Sequence, residues 1–249
     1  MNFLSILLLT LSPPNDGLWS LMGMDARLAQ IPDLIETQIA QQFGEAPADL
    51  AREARLLTLR RAVAIDSIRA DAASAFHTLL RPGQADSLVH ELRNHPLAPV
   101  FERLQTPLDE PLYNAINAWA NELDAPPSTD RIQRIVDLDT ALRGSATDAM
   151  VLVNLYLGFV RVMEPHLPES ERVAEADIPE IAALMYDELA EAYQGAHVGR
   201  LAYLLRDEPD ATLAALEEWL SKPAGRTYAA LVGDILEPVL ERIGTRLEP

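Results

Sequence analysis

Apolar side chains recur every three or four positions along most of the chain, and that spacing predicts one helix after another. Leu18, Leu21, Met22, Leu28 and Ile31 mark a first helix, with Asn15 or Asp16 as its N-cap. Ile31-Pro32 begins a second, with Leu34, Ile35, Ile39 and Phe43 inward and Gly44 as its stop. One long pattern then passes from Leu50 through Leu57, Val63, Ile65 and Ile68 into an alanine-rich stretch, until Pro82-Gly83 breaks it. Shorter helices are expected near residues 85–92 and 111–123. Further on, Ile132, Ile135, Val136, Leu138 and Leu142 share one face, an apolar helix covers 151–163, a long one begins at Pro179, and another covers 211–220. No stretch sustains the period-two alternation of a half-buried strand. The expected fold is all-α, a multi-helix bundle.

Within this pattern one segment occurs twice. Asn94-His-Pro-Leu-Ala-Pro-Val-Phe-Glu-Arg-Leu104 aligns without a gap on Ser221-Lys-Pro-Ala-Gly-Arg-Thr-Tyr-Ala-Ala-Leu231. Pro96 falls on Pro223, Ala98 on Gly225, Phe101 on Tyr228, and Glu110-Pro111 on Glu237-Pro238. Asn94 and Ser221 read as N-caps, with Pro96 and Pro223 in the first turn, where a missing N–H removes no intrahelical bond. Ala98 and Gly225 leave room for a neighbouring helix. Phe101 and Tyr228 point inward, and the two Glu-Pro pairs read as a second break or kink. A functional reading is also open, a groove between the two copies. The repeat predicts two related helical halves, residues 15–123 and 130–249, joined by the proline-rich linker 124–129 and forming one compact pseudo-symmetric domain or two smaller ones.

Composition narrows the partners. Hydrophobic residues make up 49% of the 249, enough for a sizeable core. The formal charge of −18 and the single lysine, Lys222, argue against nucleic acid, whose phosphates must be neutralised by Lys and Arg. No cysteine is present, which excludes disulfides, thiolate catalysis and Cys-ligated metals. Residues 2–11 form an apolar run of signal-peptide length, too short to span a bilayer as a helix, so residues 1–14 read as an export signal or a hydrophobic N-terminal segment. Export to the periplasm is expected, or a cytoplasmic location if that segment is not a signal. No later segment reads as a stable membrane span.

The segment Leu216-Glu-Glu-Trp-Leu-Ser-Lys-Pro-Ala-Gly-Arg-Thr-Tyr228 resembles the F-Y-x-S-P-x-G motif of the DUF2059 family. Trp219 stands for its Phe, Leu220 for its Tyr and Lys222 for its Ser, while Pro223 and Gly225 match. In the first half Pro96 matches and Ala98 replaces the Gly. Residues 18–32 are similar to that family's N-terminal helix. The resemblance implies an exported bacterial helical protein and transfers no catalytic residue.

Candidate chemistry is sparse. The five histidines, His77, His90, His95, His166 and His197, form no H-E-x-x-H and no pair three or four apart, and read as surface or boundary residues. Acidic clusters such as Asp187-Glu188 and Asp207-Glu208 read as solvated helix faces. The stretch 143–148 reads as a helix end, with Ser145 and Thr147 capping the next helix. Trp19, Trp119 and Trp219 read as wedges between helices. Tyr156 and Phe159, on the most apolar helix, are candidates to line a pocket. No catalytic, metal or cofactor residue is assigned. The expectation is a non-enzymatic exported protein that binds another protein or a small ligand. The alternatives are a carrier of an apolar ligand near Tyr156 and Phe159, or a hydrolase using carboxylates in a cleft between the halves.

Overall fold

The computed structural model describes residues 16–43, 50–81, 83–104, 106, 110–123, 125–163, 172 and 174–247. These are almost wholly helical, in the order α1 (Asp16–Leu21), α2 (Met24–Phe43), α3 (Leu50–Ala62), α4 (Ile65–Leu79), α5 (Gln84–Asn94), α6 (Ala98–Leu104), α7 (Glu110–Glu122), α8 (Thr129–Leu142), α9 (Gly144–Met163), a 3₁₀ turn (Glu175–Asp177), α10 (Ile178–Leu204), α11 (Asp210–Ser221) and α12 (Pro223–Leu247). No strand occurs among the described residues, and the all-α class holds. The chain forms two compact units that interleave along the sequence. Unit 1 comprises Met1–Val89, Asn154–Ala174 and Asp234–Pro249, and unit 2 comprises His90–Val153 and Glu175–Gly233. The division falls inside α9 and inside α12, whereas the 124–129 linker lies within unit 2. The N-terminal apolar run and most of residues 165–173 lie outside the described residues.

In unit 1, α2 packs against α1, α3 and α4. Leu18, Met22, Met24, Leu28, Ile31, Leu59 and Ile68 are almost completely buried, each contributing roughly 1.5–3 kcal/mol relative to exposure. Trp19 meets Phe76 edge-on at 5.9 Å. The expected helix boundaries shift in two places. α1 ends at a turn where Gly23 takes φ +61°, which glycine adopts without steric cost. α2 then runs straight through Pro32, so this proline interrupts a pattern without stopping it. The long 50–79 pattern divides at Ala64, whose ψ of 127° leaves the helical region. Its carbonyl accepts the first-turn N–H groups of Ser67 and Ile68. Arg60 donates to both carboxylate oxygens of Glu36 (2.6 and 2.9 Å), and these bonds hold the Glu36 carboxyl below its ordinary value. The stabilisation is present above the unfolded carboxyl's value and is lost as pH falls through the folded one. At such an exposed pair it is small.

Three arginines of unit 1 serve buried or terminal acceptors. Arg242 and Arg246 both pair with Asp71, whose side chain is 11% exposed. Arg246 also donates to the Ala62 carbonyl at the end of α3, and Arg55 to the Val162 carbonyl at the end of α9. Among the described residues α9 is the one helix long and apolar enough to cross a bilayer by length and composition, which the sequence reading had not expected; 44% of its apolar window is buried within the protein.

In unit 2, α8 packs against α10 and α11, and α10 also meets α6 and α7. The linker ends at Ser128, which caps α8 by accepting the Arg131 N–H at 3.3 Å. Arg131 reaches back to the carbonyls of Leu205 and Glu208 beyond the end of α10, at 2.7 and 2.9 Å. Arg200, itself buried, donates to the carbonyls of Leu104 and Thr106, closing the end of α6.

The repeated segment is built differently from its expectation. Asn94 is the last residue of α5, not an N-cap, and its side-chain amide donates back to the His90 carbonyl at 2.7 Å. Ser221 likewise closes α11, donating to the Glu218 carbonyl at 2.6 Å. Both side chains bond a carbonyl one turn earlier, a local option open to Asn and Ser at either helix end. Pro111 stands second in α7 and marks a start, but α12 continues through Glu237 and Pro238, so no break occurs there.

Gly225 needs its missing side chain. A Cβ there would run into the Trp219 carbonyl oxygen and lie 2.6 Å from the Leu220 Cα, both backbone atoms at the end of α11. Gly195 and Gly199 on α10 have open space. Gly225→Ala is expected to lower unfolding free energy by about 3 kcal/mol, measured by urea denaturation. Gly195→Ala should instead raise it by about 0.5–1 kcal/mol through helix propensity. Arg200→Met should cost about 2 kcal/mol, because two carbonyls lose a charged donor.

Candidate functional site

The two copies of the repeated segment meet in unit 2. Phe101 from the first copy lies 4.6 Å from Trp219 and 6.2 Å from Tyr228, measured between ring centroids. Trp219 and Tyr228 are 5.8 Å apart, and His95 completes the cluster at 5.9 Å from Phe101 and 6.1 Å from Trp219. Each such ring pair is worth about 0.5–1.5 kcal/mol beyond area burial. The Trp219 indole N–H donates to Glu91 Oε1 at 3.0 Å. The inward placement expected of Phe101 and Tyr228 is therefore observed, and both are buried.

Local chemistry sets this geometry. Pro96 sits in the turn before α6, where the His95 ring nitrogen Nδ1 accepts the Leu97 N–H at 3.2 Å and the His95 carbonyl accepts the Ala98 N–H at 2.9 Å. His95, not Asn94, is thus the residue that caps the start of α6. At the other copy Lys222 is extended and Pro223 is the first residue of α12. Gly225 then lets α12 fold back against the end of α11, beside Trp219.

Next to the cluster lies an open groove of about 340 Å³. Pro96, Leu97, Pro99 and Val100 form one wall, and Ala211, Thr212 and Ala215 of α11 the other. Small residues one turn apart on α11 leave the space that the prolines face. Arg103 and Glu208 also line the groove and form an ion pair with side-chain exposures of 39% and 19%. The Arg103 Nε is buried and has no hydrogen-bond partner. Of the expected residues, Pro96 lines this groove, while Phe101, Trp219 and Tyr228 belong to the adjoining cluster. Tyr156 and Phe159 lie on the part of α9 assigned to unit 1, half-buried and buried respectively, and take no part in it. Glu237 and Pro238 also belong to unit 1. Glu91, His95, Arg103 and Glu208 were missed as site residues. Their partners stand 105 residues away for Arg103 and 128 for Glu91, beyond the reach of any local pattern.

A second polar feature occupies the junction of α8, α9 and α10. His197 is buried rather than a boundary residue, and its two ring nitrogens face carboxylates: Nδ1 is 3.5 Å from Asp139 and Nε2 is 2.9 Å from Asp148. Asp139, 1% exposed, also accepts the Ser145 hydroxyl at 2.6 Å and the Ser145 N–H at 3.3 Å. The α9 start is therefore capped by a carboxylate from the preceding helix, not by Ser145 or Thr147 themselves. Arg143 turns the chain between them with φ 56°. Gly144 is required by closeness, since a Cβ would lie 2.7 Å from His197 Nδ1. Burial, and secondarily Asp148, pushes the Tyr193 phenol up, one turn before His197. Serine, histidine and aspartate meet here without the order of a nucleophile: Ser145 donates to a carboxylate, whereas an attacking hydroxyl donates to an imidazole. No group of three or more metal-ligating side chains occurs among the described residues.

This junction carries a stability test. Asp139→Ala removes the buried carboxylate that accepts from Ser145 and faces His197, and is expected to cost about 3 kcal/mol in urea unfolding. Asp148→Ala, at a carboxylate 40% exposed, should cost about 1 kcal/mol. Equal losses would contradict the assignment of Asp139 as the anchoring group. No protein-family model matches the chain, and neither the comparison with curated proteins nor that with solved structures finds a match.

Proposed function

We propose that this chain is a non-enzymatic binding protein whose groove between α6 and α11 holds a small, largely apolar ligand. The groove carries the reading. It offers about 340 Å³ beside a buried aromatic cluster, with apolar and small side chains on both walls and one ion pair. That size and lining suit a compact ligand held by few polar contacts. The polar junction at His197 supports the same view, since its groups are spent on one another and on a helix start. Export and kinship with the DUF2059 proteins are part of the proposal, supported by the apolar run at 2–11 and the Pro223/Gly225 motif.

Native mass spectrometry on protein purified from its own host is expected to show an added small-molecule mass that is lost on denaturation. Ala215→Phe places a ring in the groove at an exposed position, and should weaken binding by roughly tenfold or more while leaving the melting temperature within about 2 °C. Absence of any added mass, together with a flat thermal-shift screen of apolar metabolites, would refute the reading. Export predicts a shortened chain outside the cytoplasm; full-length protein confined to the cytosol would count against that part alone.

A further inference from the structure

The groove contains one charged feature, and its state discriminates among ligands. A guanidinium carries five N–H donors in a fixed fork and no acceptor. Arg103 directs Nη2 to Glu208 and its Nε is too buried for a ligand to reach, but the side chain is 39% exposed where it lines the groove, and its other terminal N–H groups are not spent on Glu208. Donors therefore remain for a ligand acceptor. Glu208 limits which acceptor can use them. Its carboxylate already neutralises Arg103, and it is only 19% exposed, so a second carboxylate would face a like charge in a poorly screened place. A neutral carbonyl accepts from the guanidinium without that repulsion.

Building on the groove reading above, we infer that the ligand bears a neutral hydrogen-bond acceptor, an amide or ketone carbonyl, held by Arg103, and that Glu208 rejects carboxylates from the same position. The pair thus selects by charge while the walls select by shape.

Three planar probes of like size separate the effects: benzamide, benzoate and toluene, titrated by ligand-observed NMR. In the unaltered protein benzamide is expected to bind roughly tenfold more tightly than either of the others, the scale of one hydrogen bond to a charged group. Arg103→Met should bring benzamide down to the level of toluene and leave toluene unchanged. Glu208→Gln leaves Arg103 unneutralised and should raise benzoate by roughly tenfold, to or above benzamide. If all three probes bind the unaltered protein alike, or if benzamide keeps its advantage in Arg103→Met, acceptor recognition is overturned while the groove reading stands. If benzoate gains nothing in Glu208→Gln, the gating role of Glu208 is overturned. If none of the three binds at all, the inference falls together with the groove.

Discussion

Arginine side chains closing the C-terminal ends of helices are the contacts on which this architecture depends. A protein made only of helices exposes up to four carbonyl groups at every helix end, and here the chain has few glycines to wrap them in left-handed turns. Arg55, Arg246, Arg200 and Arg131 each reach from one helix to the terminal carbonyls of another. Each tie satisfies backbone acceptors, places a positive charge at the negative end of a helix dipole and fixes two elements relative to one another within a unit. Arg200 and Arg131 each serve two carbonyls at once from one terminal nitrogen, Nη2, whose two hydrogens point to different acceptors.

The aromatic cluster depends on this arrangement. Arg200 seals the end of α6 at Leu104, three residues after Phe101, and so fixes the short helix that carries Phe101 against Trp219. Seven residues cannot hold a helix alone, since nucleation is costly and few internal bonds form. α6 persists because His95 caps its start, Arg200 its end, and Val100, Phe101 and Leu104 are buried along its length. The groove is the space left on the outer side of the same helix. Both ends of that helix are tied, which would preorganise the groove for the ligand proposed for it.

Helix existence was legible in the sequence because every amphipathic segment repeats close to 3.6 residues, and the linker before α8 was legible from its prolines and Ser128. The division at Ala64 was not, because no Gly or Pro marks it; tertiary packing decides it. Pro32 and Pro238 misled in the opposite direction. Proline removes one N–H and crowds one carbonyl, and two helices with extensive burial on either side absorb that loss. Asn94 and Ser221 carry the right side chains for a cap but use them backwards, on the helix that ends. Of the site, the repeat exposed Pro96, Phe101 and Tyr228 as inward or structural positions, and Trp219 was legible as a wedge between helices. Histidines and carboxylates stayed unreadable: His197 lies 49 residues from Asp148 and 58 from Asp139 (197 − 139), so their encounter exists only in the folded unit.

The two polar features of unit 2 differ in what surrounds them, and that difference assigns their roles. At His197 the hydroxyl, imidazole and carboxylates bond one another, with Asp148 partly exposed, and a ligand would have to displace bonds already made. At Arg103 the pair sits at an open groove with guanidinium donors to spare. A buried network that is complete favours one conformation over others, whereas an incomplete one at a surface favours an added partner. On the reading proposed for the groove, the first feature is structural and the second would serve recognition. The formal charge of −18 sharpens the point: anions approach such a chain against its field, and a groove whose only cation is already neutralised has no means to reverse that bias.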